Sequence, residues 1–185
     1  MCAYQLDGIV LKPVSSYVDL GIKITSDLSW SCHITSICKK AKSTLSLFSK
    51  IFTHPSPATF IKVYTLYVRP ILEYGDSVWS VEYVRDRNML ESVQRYATRI
   101  PYGRTHPPYE ARLRISKLTT SEDRRHRADL IFCFRVLHNQ FTVELSHLFS
   151  LNTDTRLRRH RFKLKKETYR TRHRQYFLPN RIFNA

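Results

Sequence analysis

The sequence predicts a mainly α fold: short N-terminal β-hairpin and strand segments, a helical body, and a basic, partly irregular C-terminal tail. Three observations carry this expectation. Asp7-Gly8 sits between two apolar runs in "AYQLDGIVL", the signature of a type I′ hairpin turn. From Ser31 onward apolar residues recur at helical spacing. After about Asn152 that period gives way to cations interleaved with aromatic rings. At 185 residues and 42% hydrophobic, the chain is long enough for one domain with a core. The expected divisions are 1–30 (strands), 31–152 (helices) and 153–185 (tail).

After the first hairpin, Tyr17, Val18, Leu20, Ile22 and Ile24 form an apolar-rich run to Thr25, bounded by serines and Asp27, which reads as one strand. A helix follows from Ser31 to about Phe52, with Ile34, Ile37, Cys38, Ala41, Leu45, Phe48, Ile51 and Phe52 on one face. Lys39, Lys40, Lys42 and Lys50 are left for solvent or for phosphates. "THPSPATF" breaks that helix and starts the next: Ser56 is an N-cap, and Pro57 takes the first helical position, where its missing N–H costs nothing. The second helix is expected to run toward Trp79, kinked at Pro70, where a backbone hydrogen bond is lost and the ring meets the preceding turn. A third, from about Asp86 to Ile100, places Met89, Leu90, Val93 and Ala97 together and ends at "PYGRTHPP". Ser121 is expected to cap a fourth, whose apolar face includes Leu130, Ile131, Phe134 and Leu137.

The charge is large and uneven. Lys and Arg total 31 against 15 acids, a formal net charge of +16. Residues 156–185 hold 11 of those cations against the single acid Glu167, a net +10. Such an excess implies a polyanionic partner: RNA, DNA or their hybrid. In the tail, Arg156, Arg158, Arg159, Arg161, Lys163, Lys165, Lys166, Arg170, Arg172 and Arg174 alternate with Phe162, Tyr169, Tyr176 and Phe177. Cations grip phosphates and rings stack on bases. The same composition also suits a nuclear-import signal or a segment that orders only on its partner. Arg124, Arg125 and Arg127 lie near a helix start, where the dipole disfavours cations, so solvation and phosphate contact both account for them.

Other classes find little support. Only four glycines occur, too few for a Gly-rich phosphate loop. The eight histidines are scattered, without a nucleophile motif. Cys2, Cys32, Cys38 and Cys133 form neither a CxxC pair nor a disulfide framework, so free thiols are expected; Cys32, His33 and Cys38 lack a matching second pair of zinc ligands. No stretch reaches the roughly 18 apolar residues of a spanning helix, and no secretory leader is visible, which places the protein inside the cell, in nucleus and cytoplasm, with no membrane partner.

"SYVDLGI", residues 16–22, raises a sharper question, because Tyr17-Val18-Asp19-Leu20 is one carboxylate short of the Tyr-x-Asp-Asp with which reverse transcriptases hold their metal ions. Two-metal phosphoryl transfer needs clustered carboxylates to hold cations about 3.5–4 Å apart, and Leu20 supplies none. Asp19 reads as a strand or turn residue.

Taken together, "SYVDLGIKITSDLSWSCHI", "VYTLYVRPILEYGDSVW", "LESVQRYATRI", "YEARLRISKLTTSEDRRHRADLIFCFRVLHN" and "RQYFLPNRIFNA" resemble, in order, the region downstream of the palm in reverse transcriptases of non-LTR (LINE-like) retrotransposons. The resemblance implies that residues 16–22 lie in the primer-grip neighbourhood and that the helices form a thumb-like domain holding template and primer. It implies Lys39, Lys40, Lys42, Arg124, Arg125 and Arg127 as phosphate contacts. The catalytic aspartates and the magnesium they bind would belong to a palm upstream of Met1, so no catalytic residue, metal ligand or cofactor is expected in this chain. The expected function is nucleic-acid binding by a catalytically incomplete part of an RNA-directed DNA polymerase. A free-standing basic RNA- or DNA-binding module and a non-functional element remnant are the alternatives.

Overall fold

A computed structural model describes residues 4–53, 55–152 and 162–183. It is mainly helical, 56% helix, with two short antiparallel strand pairs at the N-terminus. β1 (Gln5–Leu6) and β2 (Ile9–Val10) pair around Asp7-Gly8, whose φ angles of 51° and 78° are those of the expected turn. The run from Tyr17 to Thr25 is not one strand. It folds back on itself as β3 (Ser16–Asp19) and β4 (Ile22–Thr25), with Tyr17 opposite Ile24 and Asp19 opposite Ile22. Leu20 and Gly21, at φ 46° and 82°, make a second turn of the same kind. Leucine is an uncommon occupant of that conformation, which is why the apolar run hides the reversal.

α1 (Ser31–Ile51) buries Ile34, Cys38, Ala41 and Leu45 of the face its spacing predicts, together with His33, which the spacing did not include, while Ile51 at its end is exposed. α2 (Pro57–Val63) starts as expected: the Ser56 hydroxyl accepts from the Thr59 N–H at 3.2 Å, with Pro57 at the first position. The helix then differs from expectation. Tyr64–Val68 is a π-helical turn leading into α3 (Arg69–Glu73), so the extra residue of that turn absorbs the strain of Pro70. α3 stops at Glu73, well short of Trp79, because Gly75 adopts φ 65° and turns the chain away.

α4 (Val84–Arg99) crosses α1 and lays Leu90, Val93 and Ala97 against Ile34, Leu45, Phe60, Tyr64, Val68 and Trp79. Burying an apolar side chain of this size contributes about 1.5–3 kcal/mol. Gln94 lies inside this core with its amide engaged on both sides: it accepts from the Tyr64 hydroxyl at 3.0 Å and donates to Thr119 O at 2.9 Å and Tyr109 Oη at 3.0 Å. The bonds to Thr119 and Tyr109 tie α4 to α5 (Tyr109–Ser116) and its exit, a helix the periodicity did not predict. Its hydrophobic spacing is weak, with the buried position taken by Arg112.

α6 (Ser121–Leu137) corrects two expectations. Thr120, not Ser121, is its N-cap, accepting from the Asp123 N–H at 3.1 Å. The buried face carries Asp129, Cys133 and Val136, whereas Leu130, Ile131 and Phe134 are exposed. The helix is turned this way by polar docking. Arg181 sends two donors to the Asp129 carboxylate, at 2.8 and 2.5 Å, and others to Trp79 O at 3.0 Å and Asp76 O at 2.7 Å. Hydrophobicity ranking cannot anticipate such an arrangement.

The segment expected as a tail is attached over its described residues. Leu164 bridges Leu151, and α7 (Arg172–Gln175) and α8 (Leu178–Phe183) follow. Leu178 joins Cys133, Val136 and Phe149 in a second small core. Among the described residues no helix is long and apolar enough to cross a membrane.

Candidate nucleic-acid interface

The β3–β4 hairpin stands over α1 and α3 and leaves a groove of about 550 Å³. Its walls include Val18 and Leu20 from the hairpin, Ile37 from α1, and Ile71 and Tyr74 from the α3 end; Lys23 and Lys40 supply its cations. Three links hold the hairpin there. The Tyr74 hydroxyl donates to Leu20 O at the hairpin tip, at 3.1 Å. The Lys23 N–H donates to His33 Nδ1 at 3.2 Å. Ile22 inserts into the core beside Gly75, so closely that a Cβ on that glycine would lie 2.7 Å from Ile22 Cδ1.

His33 is therefore a structural residue. Its Nδ1 accepts, which leaves the proton on Nε2, and Nε2 is buried without a hydrogen-bond partner among the described residues. The ring meets Trp79 edge to face at 5.1 Å. Burial, and then the nearby Arg125 charge, hold its pKa below the ordinary 6.5.

The three candidate lysines of α1 are all exposed, but they do not converge. At about 100° per residue, Lys42 lies about 200° round the helix from Lys40. Only Lys40 of the three borders the groove. Lys23, which spacing did not single out, faces it from β4. Its signal was available: once Leu20-Gly21 is recognised as a turn, Lys23 falls opposite Val18.

Arg124 and Arg125 spend their charge inside the molecule. Arg124 forks onto Glu73, with Nε–Oε1 at 2.6 Å and Nη2–Oε2 at 2.9 Å. The Arg125 guanidinium lies 3.9 Å from the Trp79 ring centroid and donates to Trp79 O at 3.1 Å. Desolvation, with Arg181 next, lowers its pKa to about 10. Arg127, two positions further along α6, is exposed.

In the terminal segment, Lys163 and Lys165 flank Leu164 and project to solvent while Leu164 turns toward the second core. Lys166 and Arg170 are exposed. Arg172 donates to Glu82 O at 3.0 Å and lies over the Tyr83 ring at 4.3 Å, and Arg174 pairs with Glu167 at 2.6 Å. Arg156, Arg158, Arg159 and Arg161 lie outside the described residues.

Asp19 is exposed at the end of β3. Cys32 faces solvent, whereas His33 and Cys38 turn into the core, so α1 does not gather them around a common point. Burial pushes the Cys38 thiol up to about 11. No protein-family model, no curated protein and no solved structure matches the chain.

Proposed function

We propose that this chain binds template–primer nucleic acid as the thumb-side part of a non-LTR type reverse transcriptase, contributing grip and no phosphoryl-transfer chemistry of its own. The observation that carries the reading is the hairpin groove: an apolar and aromatic channel with Lys23 and Lys40 at its edge, on a chain of net charge +16. Cations such as the exposed Lys40 and the half-buried Lys23 attract the phosphate backbone without reading sequence, and the exposed Tyr74 offers a ring beside them. The ordered resemblance along most of the chain supports the family.

The test is the salt dependence of binding to an RNA–DNA hybrid. Lys23→Gln with Lys40→Gln is expected to make the log–log slope about 1.8 shallower, since each lost phosphate contact in a duplex removes about 0.9. An unchanged slope sinks the groove as the interface. Primer extension by the purified chain, with polymerase contamination excluded, sinks the claim that it only grips.

A second reading, a free-standing RNA- or DNA-binding module, is favoured by the chain's own buried core and by the Arg181 anchor of its terminal segment. Cooperative unfolding of the isolated chain together with salt-sensitive binding is its expected signature.

A further inference from the structure

A second basic cleft lies away from the hairpin, at the C-terminal end of α4. It measures about 480 Å³ and is bordered by Tyr96, Arg99, Ile100, Gly103, Arg104 and His106. Among the described residues no carboxylate lines it. Arg99, Arg104 and His106 are all solvent-exposed, and among the described residues no ion pair engages either arginine. The carbonyl end of α4 accounts for one cation there, since helix C-termini favour positive charge. It does not account for Arg104 on the loop that follows.

Arg112 sharpens the point. It is only 4% exposed, and its Nε and Nη1 are buried without a hydrogen-bond partner among the described residues. The Tyr109 ring centroid lies 5.6 Å from its guanidinium carbon. Burial, and after it the charge of Arg99, hold its pKa below the ordinary arginine value. Among the described residues no ion pair engages Arg112, and a buried guanidinium so placed is costly, with the charge of the cleft's Arg99 adding to that cost. An anion in the cleft would offset the Arg99 charge and so ease its effect on Arg112. The volume falls in the range of small-molecule sites, well above what a lone ion needs.

We propose that this cleft binds the phosphate ester of a nucleotide, with Arg99, Arg104 and His106 meeting the phosphate oxygens and Tyr96 flanking the attached base. Guanidinium groups suit this ligand because their planar donors match phosphate oxygens two at a time. The inference is independent of the hairpin groove. The phosphate could belong to a free nucleotide or to a nucleic-acid strand, and the ligand series below separates the two.

The full chain is titrated calorimetrically, at fixed ionic strength, with adenosine 5′-monophosphate and with a single-stranded 12-nucleotide RNA. Arg104→Gln is the principal variant, because an exposed loop side chain is not needed for folding; Lys23→Gln with Lys40→Gln is the control on the other surface. Saturable 1:1 binding of the mononucleotide, weakened about tenfold by Arg104→Gln and unchanged by the lysine pair, establishes a free-nucleotide site; tenfold is what one lost charge-assisted hydrogen bond gives. Loss of oligonucleotide affinity in Arg104→Gln, without mononucleotide binding, assigns the site to strand phosphates. If Arg104→Gln changes neither ligand's binding, the proposal fails, whatever the lysine pair does.

Discussion

His33 accepts a backbone N–H through Nδ1 and keeps Nε2 buried, so a second proton has nowhere favourable to go. The folded-state pKa lies below 6.5 while the unfolded chain takes up its proton near that value. Below 6.5 the unfolded state therefore binds more protons, and stability rises with pH and is lost as pH falls. The unfolding free energy from urea titration should drop between pH 7 and pH 5, by up to about 1.4 kcal/mol per pH unit in this contribution. His33→Gln should flatten that part of the curve; an unaltered pH dependence would mean that other groups carry it. The residue scale was the least legible in the sequence. Arg124 and Arg125 read as candidate phosphate contacts because charge is visible in a sequence and a distant carboxylate or indole is not. Glu73 and Trp79 lie 51 and 46 positions away.

Among the elements, α1, the Ser56-Pro57 start of α2 and the apolar side of α4 were legible, because periodicity and capping are local properties. The β3–β4 reversal was not, since Leu20 at positive φ breaks the usual turn chemistry. The exposed Leu130, Ile131 and Phe134 of α6 were misassigned for the opposite reason: a tertiary ion pair overrides amphipathicity. The seat of the hairpin depends on one glycine. Gly75→Ala adds a methyl 2.7 Å from Ile22 Cδ1 at a backbone of φ 65°. Overpacking and strain together should cost about 2–4 kcal/mol in equilibrium unfolding. Hybrid binding should weaken as the hairpin lifts. A variant as stable as the parent would show that Ile22 is not held there.

At the scale of the whole molecule, the N-terminal strands, the helical body and the basic charge were all visible in composition and pattern. The attachment of the last segment was not. Arg181 looked like one cation among eleven, yet it and Asp129 have side chains only 12% exposed. Arg181→Ala should destabilise the chain by about 3–5 kcal/mol, the cost of stranding a buried partner. Asp129→Ala should cost as much, and the double variant less than the two losses added. Simple additivity would place the two residues in separate networks.

The same arginine reaches Trp79 and Asp76, respectively 102 and 105 positions back along the chain. Closing so long a loop costs entropy that only the finished hydrogen-bond set repays. Four bonds on one guanidinium form and break together, so α7 and α8 should behave as a single late-folding unit. Native-state hydrogen exchange would then find the terminal helices opening first, as one step, while the α1–α4 core stays closed.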